Sequence, residues 1–291
     1  MPNLKEIRAR IHSVASTQKI TSAMKMVSAA KLKKSESLTL SFLPYRNKLT
    51  EALSNYLSAL EESVSIPLAE HREVKRVALV AFSSSSGLCG VFNSNVIKRF
   101  RATYEDYAKR LGPDHVEVHL FGKKIKDYAT KKMGIAVTAY HEGLDETLSY
   151  ETATTLADGL VEKFLKGDID EVVMIYNHHK SAAVQVTTVE TVLPLATDLL
   201  PPGEYLDYLV EPSKEAFLDA LVPKVIRTRF YSIMLDTFTA EHGARMTAMH
   251  IASDNANTLL QELTTQYNKA RQNVITNELI DIVGGAEALN K

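Results

Sequence analysis

From Lys224 to Lys291 the sequence contains no proline. Nothing in the covalent chain therefore stops one helix from running that whole distance. At about 1.5 Å per residue, ~65 helical residues reach roughly 100 Å. Helices in compact domains average only about 11–12 residues. A single globular core cannot cover such a helix along its length, so it needs a partner helix or surrounding subunits. A further proline-free run stands at the opposite end, Asn3 to Leu43. The two ends are expected to pair, leaving the middle of the chain as a separate domain.

Bulk properties narrow the class. With 45% hydrophobic and 24% charged residues, the 291-residue chain fits a soluble folded protein of one large or two modest domains. A net charge of −1 excludes a polyanion binder over the whole surface. No apolar run approaches the 18 residues of a membrane-spanning helix. The opening MPNLKEIRARIH lacks the apolar core of a signal peptide. Cys89 is the only cysteine, so no intramolecular disulfide can form and a cytosol-facing location is expected.

The first helix should start with Asn3 as N-cap. Leu4, Ile7, Ile11, Val14, Gln18, Thr21, Lys25 and Ser28 follow 3-4 spacing, a coiled-coil seam that turns polar halfway. A second apolar stripe, Ile20, Met24 and Val27, lies on another face, and Met26 points away from both. A helix enclosed by several partners would need this; a phase shift with a few exposed methionines is the plainer alternative. Residues 1–34 hold eight basic side chains (Lys5, Arg8, Arg10, Lys19, Lys25, Lys31, Lys33, Lys34) against Glu6, a local balance of +7. That asymmetry marks either a surface that meets something negative or an ordinary solvated face. Aromatics are missing before Phe42, which leaves bases no stacking platform. Pro44 should kink or pause the helix, and helix content should end before Pro67.

The pattern then changes to alternating strands and helices, predicting a layered α/β domain with a mostly parallel sheet. Strands are expected at Val77–Phe82, Val116–Phe121, weakly at Ile135–Tyr140, at Glu171–Asn177 and at Val184–Leu195. Helices are expected at about Ser94–Leu111, after the second strand (basic), and at Thr152–Leu165. Pro201, Pro202 and Gly203 punctuate the end of this domain. The predicted divisions are 1–66, 74–203 and 204–291. In the last, Leu218, Leu221 and Val225 begin an apolar stripe, and Leu260, Leu263, Tyr267, Ala270 and Val274 again keep 3-4 spacing. Gly243 costs about 1 kcal/mol against alanine in an exposed helix, which is tolerable. Leu279, Ile280, Ile282 and Val283 cover nearly every face of the helix tip. Insertion into an apolar sleeve, or packing back on the chain's own core, would use them.

Chemistry is hard to find. Ser83–Gly90, SSSSGLCG, follows a strand and precedes a helix, where backbone N–H groups can bind phosphate. It lacks the GK[ST] ending of a P-loop and is not GxGxxG. Tight strand-to-helix packing that needs Gly87 and Gly90 is the better reading. Cys89 as a nucleophile would need a base, and nothing in sequence brings His178 or His179 to it. Those adjacent histidines have no CxxC or HxxxH companion for a metal, and HExxH, GxSxG and DFG-type sets are missing. No catalytic, cofactor-binding or metal-binding residue is assigned, and no cofactor is expected.

KITSAMKMVSAAKLKK near the start closely resembles the gamma subunit of the rotary ATP synthase, as do ARMTAMHIASDNAN and YNKARQNVITNELIDIVGGAEAL near the end. SSSSGLCGVFN, FGKK and VVMIYN in the middle agree, so the resemblance runs from Asn3 to Leu289. The family usually has Asp-Arg before GLCG; in this chain the serine run ends there with Ser85 and Ser86, which cannot make that pair's salt bridge.

The resemblance implies an antiparallel coiled coil of the terminal helices plus a Rossmann-like α/β domain, acting as the central shaft of the complex. Its expected partners are three alpha and three beta subunits, the epsilon subunit and the membrane c-ring, with no nucleic acid. Proton flow would turn ring and shaft, and the chemistry would belong to the beta subunits. The place implied is peripheral, on the cytoplasmic face of a bacterial inner membrane, without signal or transit peptide. Arg271, Gln272 and Thr276 match the grip on a beta catch loop, and Met24 and Lys25 the segment beside the acidic beta lever. Leu279, Ile280, Ile282 and Val283 match the apical bearing, and Tyr208 and Glu211 the foot on the c-ring and epsilon. Each also has a plainer structural use: Tyr208 against the sheet edge, Met24 in the seam. Two other classes remain open, an α/β nucleotide-binding enzyme with a helical arm and a basic coiled-coil arm that holds RNA.

Overall fold

The computed structural model describes residues 4–58, 66–144, 148–196, 210–211 and 213–289. The elements are α1 (Leu4–Ser58), β1 (Val77–Phe82), α2 (Phe92–Leu111), β2 (Val116–Phe121), α3 (Lys123–Lys132), β3 (Ala139–His141), α4 (Tyr150–Lys166), β4 (Glu171–Ser181), β5 (Val184–Leu193) and α5 (Lys214–Leu289). Internal contacts divide the chain into two units, residues 28–245 and residues 1–27 with 246–291. The N-cap position Asn3, the foot residue Tyr208 and the Pro201–Gly203 punctuation lie outside the described residues.

Both terminal helices ignore their prolines. α1 passes through Pro44 without a break, and α5 starts nine residues before Pro223 and continues through it for 76 residues in all. A proline inside a helix leaves the carbonyl four residues earlier without its donor. Here those carbonyls belong to Leu40 and Asp219, both exposed residues whose turns face water. Around the Pro223 turn, Leu218, Leu221, Val222, Val225 and Ile226 are buried. Burying a large aliphatic side chain contributes roughly 1.5–3 kcal/mol. Five of them outweigh the roughly 3 kcal/mol cost of the proline.

The unit of residues 28–245 is built on a five-stranded sheet of order β3-β2-β1-β4-β5. β1 lies parallel to β2 and β4, β3 parallel to β2, and β5 antiparallel to β4. VALVAF forms the central strand because all six of its residues are buried. Such a strand has both faces covered, and reads as a continuous apolar run. One face carries α2 and α3, whose Val96, Phe100, Ile125 and Ala129 pack on Leu79, Val118 and Ile175. The other carries α4 together with parts of α1 and α5, which bury Leu53, Tyr56, Leu160, Phe164, Phe230 and Met234 against Val80, Phe82 and Met174.

Strand edges differ from expectation in three places, the smallest being β5, which stops at Leu193 rather than Leu195. β3 is only Ala139–His141, because the Ile135 N–H is taken by the Ala129 carbonyl at 3.0 Å, which closes the end of α3. β4 extends four residues past Asn177 to form a hairpin with β5. That hairpin gives Gly243 a purpose beyond tolerance. A Cβ there would lie 3.3 Å from Ala182 Cα and O and 3.4 Å from His179 Cε1, so the turn rests directly on the helix backbone.

In the other unit, α1 and α5 run antiparallel. Arg8 Nη2 donates to Tyr267 Oη at 3.1 Å, and Thr21 and Ser253 share a hydrogen bond of 2.8 Å. Moving forward along one helix is moving backward along the other. Every member of the expected N-terminal seam within this unit, from Leu4 to Lys25, is buried or half-buried. The stripe through Ile20 and Val27 is not covered: they are 61% and 58% exposed, and Met26 64%.

Candidate interaction surface

The helix pair ends before α5 does. Arg8 lies opposite Tyr267 and α1 begins at Leu4, so the described part of α1 reaches no further than about Arg271 of its partner. Beyond that point every residue from Arg271 to Ala286 is exposed. Val274, Ile275, Leu279, Ile280, Ile282 and Val283 are among them, between 41% and 67% exposed. At 100° per residue these six project in several directions. A single exposed apolar residue needs no explanation, but a contiguous patch of this kind marks a contact surface.

The sequence-predicted residues fall at separate places. Gln272 and Thr276 lie one turn apart on the same side of α5, with Arg271 beside them, all exposed. Met24 and Lys25 are half-buried on α1, one turn beyond the Thr21–Ser253 bond. By the antiparallel register they lie opposite the region of His250, about 30 Å along the pair from Arg271. Lys25 completes the seam while Met26 and Val27 beside it face out. Glu211 is exposed just before α5 in the larger unit.

The α/β unit holds the other candidates. The Ser83–Gly90 turn is closed by Asn93, whose Oδ1 accepts from Ser84 N at 3.0 Å and whose Nδ2 donates to Cys89 Sγ at 3.1 Å. Cys89 is buried, and its polar neighbours are Ser84 and Asn93, neither a base. The packing role expected for Gly87 is not seen, since a Cβ there would meet nothing within 4 Å. The left-handed backbone falls instead on Leu88 and Gly90, at φ 63° and 58°. The glycine that close packing does require is Gly122, where a Cβ would come within 2.1 Å of the Ser83 carbonyl oxygen.

Sequence reasoning missed the group that ties this turn to α5. Arg245 Nη2 bonds Glu241 Oε1 at 2.7 Å and Ser86 Oγ at 3.0 Å. Both charged side chains are buried, 7% and 4% exposed. The i,i+4 spacing of Glu241 and Arg245 was the available signal. His178 and His179 also find partners the sequence could not show. Asp236 accepts from the His179 backbone N–H at 2.9 Å and meets His178 Nδ1 at 2.6 Å. They line a cleft of about 650 Å³ with Arg46, Tyr176 and Arg229. Burial pushes the Tyr176 pKa well up, helped by Glu190, which accepts from its hydroxyl and also binds Arg229. No group of three or more potential metal ligands exists among the described residues.

Comparison with known proteins adds the following. The family described as ATP synthase matches residues 3–289. The ATP synthase gamma chain of Flavobacterium johnsoniae is 49% identical over 291 residues, covering all of both chains. That of Phocaeicola vulgatus is 46% identical over 294 aligned positions, covering 99% of this chain and all of the relative. Among solved structures, a chain of the Euglena gracilis mitochondrial ATP synthase OSCP/F1/c-ring assembly superposes with a TM-score of 0.67 at 19% identity. It spans 98% of this chain and 94% of its own. A chain of the Tetrahymena thermophila mitochondrial ATP synthase central stalk and c-ring gives 0.59 at 24% identity, over 80% of this chain and 99% of its own. At those identities the structures speak for the fold.

Proposed function

The chain belongs to the ATP synthase family, with the gamma chains, and from that we propose that it is the central rotor of a bacterial ATP synthase. In this reading the antiparallel α1–α5 pair stands inside a hexamer of three alpha and three beta subunits. The α/β unit meets the epsilon subunit and the c-ring. Rotation driven by ion flow forces the beta subunits through different nucleotide affinities. The chain itself carries out no chemistry, and sits peripherally on the cytoplasmic face of the membrane through its partners. No helix among the described residues is long and apolar enough to cross a membrane.

The observation that carries this reading is the uncovered end of α5. Sixteen consecutive exposed residues, apolar on several sides, need a sleeve that α1 does not reach to supply. Leu279, Ile280, Ile282 and Val283 would turn in that sleeve. Arg271, Gln272 and Thr276 would grip a beta loop one to two turns below it. Met24 and Lys25 would meet the acidic beta lever, where exposed Ile20, Met26 and Val27 supply apolar contact and Lys19 charge. Glu211 would belong to the foot with Tyr208.

The test is coupling in the assembled complex. Lys25→Glu together with Arg271→Ala and Gln272→Ala should lower ATP-driven proton pumping per ATP hydrolysed, or lower assembly. Normal pumping with all three changed would refute their assigned roles. Titration calorimetry of the purified chain with ATP tests the other half. Measurable ATP binding would favour the enzyme reading instead.

A further inference from the structure

Charge in the α/β unit is concentrated on one side of the sheet. α2 carries Lys98, Arg99, Arg101, Lys109 and Arg110 against Glu105 and Asp106. α3 carries Lys123, Lys124, Lys126, Lys131 and Lys132 against Asp127. The two helices thus bring +3 and +4, a balance of +7, in a chain whose total is −1. Both lie on the same sheet face, with their apolar stripes turned inward to one core. All ten basic side chains but the half-buried Lys126 belong to exposed residues.

The acids do not neutralise this layer. Each is taken by a neighbour on its own helix: Glu105 by Arg101, Asp106 by Arg110 and Asp127 by Lys131. Among the described residues, Lys98, Arg99, Lys109, Lys123, Lys124 and Lys132 close no salt bridge; Asp127, already paired with Lys131, is the acid that Lys123 and Lys124 share at longer range, and Lys126 sits over the Tyr140 ring at 3.8 Å. Local structure argues against such placement. Lys123 and Lys124 occupy the first turn of α3, which has no acid there and no side-chain cap. Positive charge at that end opposes the helix dipole. Residues that break a local rule without a gain in their own fold are candidates for contact with something else.

We propose that the α2–α3 face is an electrostatic contact surface for an anionic lipid bilayer. Seven of the ten basic side chains are lysine, which protein–protein interfaces deplete. The large exposed hydrophobic side chains nearest to it, Leu88 and Val91, stand before the first turn of α2 at the rim, and none lies within α2 or α3, so the body of the face offers no anchor of the kind that dominates protein interfaces. Nor does it offer an exposed aromatic platform for bases. A broad, hydrated, lysine-rich face suits lipid headgroups, to which each nearby lysine or arginine contributes independently. The inference takes from the proposed function only that a membrane is within reach. The binding itself does not need the assembled complex.

Flotation of the full chain with phosphatidylcholine vesicles containing about one-third phosphatidylglycerol tests it, at low salt and again at about 0.3 M. Wild type should float with the anionic vesicles, stay behind with pure phosphatidylcholine, and detach at the higher salt. Lys98→Gln, Lys123→Gln, Lys124→Gln and Lys132→Gln combined should lower partitioning roughly 100-fold or more. The matching lysine-to-arginine variant should keep it. Lys31→Gln with Lys33→Gln and Lys34→Gln, which thins the other basic segment, should lower it far less. Equal flotation of wild type and the glutamine variant would overturn the proposal. So would capture of the chain by polyanionic RNA or an acidic protein with no vesicle binding. A folded glutamine variant that fails to float yet still assembles with alpha and beta subunits would separate this surface from the rotor role.

Discussion

Replacing Glu241 by alanine should be among the most damaging single changes in the α/β unit. The carboxylate accepts from Arg245 at 2.7 Å, with both side chains almost fully buried. Removing it leaves a guanidinium in a low-dielectric site with a bond to Ser86 Oγ at 3.0 Å and a weaker contact to His242 at 3.4 Å. Breaking a buried pair in this way costs about 3–5 kcal/mol. For a unit of this size each kcal/mol moves the melting point roughly 2–4 °C, so the fall should be about 6–20 °C. Ser86→Ala, which removes one hydrogen bond to a charged group, should cost about 1.5–3 kcal/mol. Replacing Glu241 and Arg245 together by methionine should recover much of the loss, because no uncompensated charge remains. The chain has no tryptophan, so urea unfolding is best followed by circular dichroism. A cost below about 1 kcal/mol for Glu241→Ala would refute the reasoning. It would mean that water reaches the guanidinium or that the turn carrying Ser86 yields to let it out.

Three further outcomes follow from the packing. Gly243→Ala should be close to neutral, because the roughly 1 kcal/mol helix gain is opposed by the backbone of Ala182 at 3.3 Å; Gly243→Leu should lower the melting point clearly, and an unchanged melt would mean that the hairpin turn can lift away. Burial holds the pKa values of His119 and His141 below the ordinary value near 6.5. The unfolded chain then takes up protons that the fold refuses, so stability should fall as pH drops below about 6.5; Glu117, 3.4 Å from His119, and Lys163 face the same site. A double variant His119→Gln with His141→Asn should flatten that slope in pH-dependent urea midpoints, and an undiminished slope would assign it elsewhere. Truncation after Glu278 should change the chain's stability by no more than about 0.5 kcal/mol, since every described side chain it removes, from Leu279 to Ala286, is exposed, yet should reduce recovery of the assembled hexamer. Unchanged recovery would remove the case for a sleeve.

The strands were legible where burial was complete on both faces. Val77–Phe82 and Val116–Phe121 form where the apolar runs place them. The N-terminal seam was legible because 3-4 spacing reports the buried side of a helix even after it turns polar at Gln18, Thr21 and Lys25. Prolines misled because their cost is local while the compensation at Pro223 comes from five buried aliphatic side chains packed on other elements. Gly87 misled for the opposite reason: a glycine announces freedom, and the chain used its left-handed turn one residue later, at Leu88. Asp236 with His178, and Arg245 with Ser86, join residues 58 and 159 positions apart, and no periodicity records that. The surface at Arg271–Val283 was legible as a helix covered on too many sides, which is a statement about partners rather than about this chain's own core.

The mismatch in length between α1 and α5 also has an elastic side. Resistance to bending rises steeply with the thickness of a rod, so two helices locked by a seam are much stiffer than one. Among the described residues the seam stops near Ala270, and α5 goes on to Leu289, about 28 Å further. Compliance is therefore concentrated in that last stretch. With every described side chain from Arg271 to Ala286 exposed, it should also exchange its amide protons faster than the paired turns around Ser253 and Leu263. A rotating part built this way is rigid where its two helices are paired and yields at its free end, where it must stay centred while its surroundings change shape.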